Sequence, residues 1–192
     1  MSNDTEINGL DFGPIACLIG NWKGEKGMDI SPTADGGDKQ SPYWETLTCT
    51  LVGDVSNAGK QHLAAIAYHQ QVFLKSNDEK FHDQIGYWIW DSAASTVMHT
   101  IAIPRGVTLI AGGKVTAKQY DKNSALLEIE AKNGGDWGIA QSPFMRDNAE
   151  TCAYKMTMTV SGDKLSYSQT TFLDIYGRKF DHLDSSELIK VS

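Results

Sequence analysis

Basic residues are in the minority in this chain, where 17 Lys and Arg stand against 24 Asp and Glu for a net charge of −7. Such a surface repels phosphate backbones and offers no basic run to an anionic bilayer. Nucleic acid and membrane are therefore not expected as partners. No stretch approaches the roughly 20 apolar residues that a membrane-spanning helix needs. Met1–Gly9 lacks the charged start and apolar core of a secretory signal, so a cytoplasmic location is expected. Cysteine is scarce and odd in number: Cys17, Cys49 and Cys152 lie scattered among apolar neighbours. They make neither a disulfide frame nor a zinc set and are expected to be reduced, buried thiols. Familiar catalytic spacings are missing too. There is no Gly-rich phosphate loop between strand and helix, no G-x-S-x-G elbow and no H-E-x-x-H pair. Any chemistry is expected to come from a cofactor rather than a side-chain triad.

What the chain does have is period-two alternation from about Trp44 onward. In Thr151–Val160, residues Cys152, Tyr154, Met156, Met158 and Val160 share one face, and Thr151, Lys155, Thr157 and Thr159 the other. That is a strand buried on one side. The turn Ser161-Gly162-Asp163 then leads into Lys164–Tyr176, predicting a hairpin. Further strands are predicted over Asn21–Gly27, Trp44–Val52, Gln61–Leu74, Phe81–Trp90, Thr96–Ile103, Val107–Ala111, Lys114–Tyr120, Ala125–Ala131 and Glu187–Val191. Short clusters of turn formers separate most of them. About ten or eleven short strands with little helix imply an all-β, antiparallel up-and-down β-barrel of the lipocalin or fatty-acid-binding-protein type, because closure removes exposed edges. The helical candidate, Pro14–Leu18, is short enough to cap one end. A flexible segment over 1–12 and one barrel domain over 13–192 are expected. Ser31–Pro42 and Gly134–Asn148 read as long loops, of the kind that often lies over a site.

The histidines divide by parity. His62 and His82 sit beside turns and are expected in solvent. His69 is expected to point outward, opposite the apolar face Ala64, Ile66, Tyr68 and Val72. His99 shares parity with Val97, Ile101 and Ile103 and is expected inside, as a core or pocket group. The inner stripe of Tyr154, Met156, Met158 and Phe172 or Leu173 serves equally an apolar-ligand pocket or a plain packed core.

Leu18-Ile19-Gly20-Asn21-Trp22-Lys23-Gly24 resembles the opening L-x-G-x-W-x-G of the nitrobindins, a family of haem-binding β-barrels. In the same order, Ala65-Ile66-Ala67-Tyr68-His69-Gln70 resembles their I-A-Y-x-Q strand, and Phe81–Tyr87 resembles their H-x-E-x-G-Y/F strand. Ile103-Pro104-Arg105-Gly106 sits at their Pro-Thr-Gly turn, and His182-Leu183 at their H-L pair. The resemblance implies haem b as cofactor, with His182 as the axial ligand through a neutral imidazole nitrogen and an apolar distal pocket. It implies nitric oxide binding and isomerisation of peroxynitrite to nitrate. His99 is the other inward histidine, and Arg105, which replaces a small residue of the family turn, is a candidate partner for a propionate. The alternatives are a carrier of a fatty acid or another small apolar ligand without haem, and a barrel filled by its own side chains.

Overall fold

Alternating burial runs along almost every predicted strand. The structure, a computed structural model, describes residues 4–192. Two short strands, β1 (Glu6–Ile7) and β2 (Leu10–Asp11), form a hairpin. The main sheet comprises β3 (Gly20–Pro32), β4 (Asp38–Asn57), β5 (Gln61–Leu74), β6 (Lys80–Asp91), β7 (Thr96–Ile103) and β8 (Val107–Lys114). It continues with β9 (Tyr120–Asp121), β10 (Ser124–Lys132), β11 (Ile139–Gln141), β12 (Ala149–Ser161), β13 (Lys164–Ile175) and β14 (Arg178–Lys190). Ten of these make a closed antiparallel barrel in up-and-down order, because β14 pairs with β3 and β8 meets β10 at Gly112 and Glu130. The short β9 and β11 add to β10 and β8. Closure leaves no long free edge.

The barrel has two unlike ends. At one, the 3-10 segment Gly13–Leu18 packs as the expected cap, with Phe12, Ile15 and Leu18 buried. The indole of Trp22 donates to the Leu18 carbonyl at 2.8 Å, which satisfies its polar edge inside an apolar plug. Trp88, Trp90, Val97, Ala111, Leu127, Val160 and Leu188 complete this dry end. The opposite end, where β3, β5, β7 and β13 finish and β4, β6, β8, β12 and β14 begin, is hollow.

Several expectations change. Thr5 and Phe12 are buried and residues 6–11 are paired, so packed structure begins before the expected boundary at 13; residues 1–3 lie outside the described residues. Ser31–Pro42 is mostly ladder, with Ser31 opposite Lys39 and Pro32 opposite Asp38, leaving only 33–37 as a turn. Polar residues can hold a hairpin through its backbone without an apolar stripe. The strand predicted over Lys114–Tyr120 is interrupted at 115–119: Gln119 accepts from the Thr116 amide and hydroxyl, and this local turn replaces the ladder. The Gly134–Asn148 stretch contains β11 and a short helix, α1 (Pro143–Asn148), capped by the Ser142 hydroxyl. Tyr154, Met156, Met158 and Val160 are buried as predicted, but a bulge between Thr151 and Ala153 reverses the phase at the start of β12, so Thr151 is buried and Cys152 only half-buried.

A second irregularity shapes the wall. The β3–β4 register shifts between Gly24 and Gly27, and Gly27 lies opposite Tyr43. A Cβ at position 27 would fall 1.9 Å from the Tyr43 ring, so the phenol lies directly across bare backbone. Its hydroxyl reaches Tyr167 at 2.8 Å and the Ser185 carbonyl at 3.3 Å.

Candidate functional site: a half-polar cavity at the open end

The open end encloses a cavity of about 440 Å³, inside the roughly 300–1,000 Å³ range of small-molecule sites. Its upper wall is apolar, with Val72, Ile101, Ile103, Val107, Leu109 and Leu173. These come from inward positions of four strands, as period-two placement requires. Met145 of α1 and Ala149 also line it, so the 134–148 stretch does lie over the cavity.

The deep side is polar, where the resemblance implies an apolar distal pocket. Tyr154 donates to Gln169 at 2.8 Å, and Gln84 donates to the Tyr68 hydroxyl at 2.8 Å. Beneath them Glu45 is fully buried. It accepts from Gln70 at 2.5 Å and from Tyr167 at 3.1 Å. Burial holds its carboxyl above the ordinary range.

The last strand begins well before the predicted Glu187, so His182 lies inside β14, and its imidazole lines the cavity. Asp29 on β3 is directly opposite Asp184 on β14, and His182 is two residues along the same face. Nε2 of His182 donates to Asp29 Oδ1 at 2.6 Å and lies 3.7 Å from Asp184 Oδ2. Burial alone would push the imidazole down. The Asp29 hydrogen bond and the two nearby carboxylates outweigh it and hold His182 above its ordinary value. For Asp29, burial works upward, but the His182 contact prevails and lowers it. Asp184 is raised, first by burial and then by the neighbouring Asp29 charge.

Of the other candidates, Arg105 is exposed at the mouth and lines the cavity, with its guanidinium donating to the Phe81 carbonyl at 3.3 Å. His99 is elsewhere. It is sealed in the dry end, stacked on Trp88 at 3.8 Å between ring centres, and neither ring nitrogen has a hydrogen-bond partner. Burial pushes its pKa down to about 3. The structure therefore brings His182 and Arg105 together and leaves His99 apart. His82, expected in solvent, instead lines the cavity, with Nε2 3.3 Å from Gln84 Oε1. Burial, with Arg105 and His182 nearby, lowers its pKa. His62 and His69 are exposed as expected, and His69 pairs with Asp83 at 3.0 Å.

A family model described as the THAP4-like, heme-binding beta-barrel domain matches residues 11–190. The chain belongs to this family, the nitrobindins. Among solved structures, Rv2717c from M. tuberculosis superposes with a TM-score of 0.64 at 22% identity, covering 93% of this chain and 95% of that chain. That likeness concerns the fold alone. No curated protein matches the chain.

The cavity lining fits a haem in its chemistry: an inward imidazole that could ligate iron, an apolar wall, and a guanidinium at the mouth. One condition attaches to the fit. Nε2 of His182 is engaged by Asp29 and has to exchange that carboxylate for iron.

Proposed function

We propose that this nitrobindin-family barrel binds haem b through His182 and acts on reactive nitrogen species, binding nitric oxide and converting peroxynitrite to nitrate. The observation that carries the reading is the His182 imidazole lining the cavity within a family match of nearly full length. Bound haem supplies an iron that can coordinate a small nitrogen oxide. His182 holds it through a nitrogen freed of its proton. Arg105, exposed at the mouth, would pair with a haem propionate there while its charge stays solvated. The aliphatic upper wall excludes water, and the hydroxyls and amides of Tyr154, Tyr167 and Gln70 can hydrogen-bond a small polar ligand on the deep side.

Haemin titration followed at the Soret band tests this, with His182→Ala alongside. One-to-one binding that the variant loses is expected, followed by faster peroxynitrite decay in the loaded protein. Equal spectra in both proteins would overturn the assignment of His182.

The apolar upper wall also supports a second reading, a carrier of a small apolar ligand. A fatty-acid carboxylate would have to sit by Arg105, because Asp29, Asp184 and Glu45 make the deep side acidic. Native mass spectrometry showing a co-purified lipid and no haem uptake would favour the carrier.

A further inference from the structure

We propose that Asp29, His182 and Asp184 form a site for a single divalent transition-metal ion, of the zinc or ferrous class, facing the cavity. One nitrogen and two carboxylate oxygens, one from each residue, all lie within 4.8 Å of one another. An ion bound at about 2.0–2.2 Å needs its donors roughly 3–3.5 Å apart. The observed separations of 2.6 Å and 3.7 Å from Nε2 bracket that spacing, so small side-chain rotations suffice.

The placement comes from the barrel wall and not from a loop. Asp29 and Asp184 are cross-strand partners and His182 is on the same face, so the ladder of β3 and β14 fixes all three. Two carboxylates directly opposite one another repel, and Asp29 is only 4% exposed, so little water screens them. A doubly charged ion relieves that repulsion, taking the place of the proton that Nε2 shares with Asp29. Gln169 donates to Asp184 Oδ2 at 3.3 Å, an outer hydrogen bond of the kind that orients a metal-binding carboxylate. A mixed imidazole and carboxylate set suits zinc or ferrous iron better than calcium or magnesium. With three protein donors on one side, the remaining coordination positions open on the cavity, where a small anionic or hydroxylated ligand can reach the ion.

This inference does not rest on the haem reading. Both use Nε2 of His182, so the small ion and haem exclude one another, and Asp29 has opposite effects on them. The test is calorimetric titration of untagged, metal-stripped protein with Zn2+, repeated with Co2+ to read coordination from its visible bands. Asp29→Asn, Asp184→Asn and His182→Ala are titrated in parallel, with circular dichroism to confirm folding. One equivalent is expected to bind, weakened at least tenfold in each folded variant, with Co2+ bands of mixed nitrogen and oxygen coordination. The absence of a binding isotherm in the parent protein would overturn the proposal. So would undiminished binding in Asp184→Asn, an isosteric change that keeps the wall packed. Haemin titrations on the same samples keep the readings separate. Haemin uptake without Co2+ uptake sinks only the small-ion site, and Co2+ uptake without haemin uptake sinks only the haem site.

Discussion

Two inward histidines, His99 and His182, show how differently the two ends of one barrel treat the same side chain. His99 is wedged against Trp88 and Tyr68 with no polar partner for either nitrogen, and burial keeps it neutral. His182 also projects inward from a barrel strand, but Asp29 and Asp184 surround its Nε2 and favour its charged form. Parity along a strand decides that a residue points inward. What it finds there depends on residues far away in the chain, and chemistry follows only at the open end.

The largest break in this comparison comes from removing His182. His182→Ala is expected to weaken haemin binding by about 100-fold or more, read by Soret titration, and to lower the urea midpoint as well, because Asp29 and Asp184 lose the cation between them. At the dry end stability alone responds. His99→Ala leaves a hole beside Trp88 and is expected to cost about 3 kcal/mol in urea unfolding, while haemin affinity stays within about twofold. A fall in haemin affinity without loss of stability would place His99 in the site after all.

Acid sharpens the contrast. With His99 held to about 3 against an unfolded 6.5, the unfolded chain takes up a proton that the native one refuses. Stability from this residue is therefore full above 6.5 and falls as the pH drops towards 3, by about 1.4 kcal/mol per unit. Urea midpoints of the parent and His99→Leu should converge over that range, and parallel curves would refute the assignment.

Freeing Nε2 tests the condition on haem. Asp29→Ala is expected to raise haemin affinity by about tenfold, because binding no longer breaks the 2.6 Å contact. The smallest effect is at the mouth, where Arg105→Gln should weaken haemin binding only about two- to fivefold, as for an exposed ion pair.

The barrel was legible because alternation is local. Gln61–Leu74 and Thr96–Ile103 emerge with the predicted bounds, and the turn 161–163 closes the predicted hairpin with Ser161 opposite Lys164. The bulge near Thr151 was not, since its neighbours keep the same alternation on either side and only the phase slips. Of the site, His182 and Arg105 were found through family resemblance. Asp29 escaped because its partner is 153 residues away and it falls between the predicted strand ending at Gly27 and the predicted loop beginning at Ser31. His82 escaped because proximity to a turn in sequence says nothing about the cavity that the turn borders. Amides and phenols such as Gln70 and Tyr167 look like ordinary strand residues until they converge on Glu45.

The bare backbone at Gly27 makes the size of the chamber adjustable from outside it. The ring of Tyr43 helps to line the cavity, yet its seat is set by a residue that does not. Any larger residue at 27 would dislodge the phenol and its link to Tyr167, reshaping the volume offered to a ligand while every other lining side chain stayed the same. Ligand preference in such a barrel can therefore drift through a change that a comparison of lining residues would overlook.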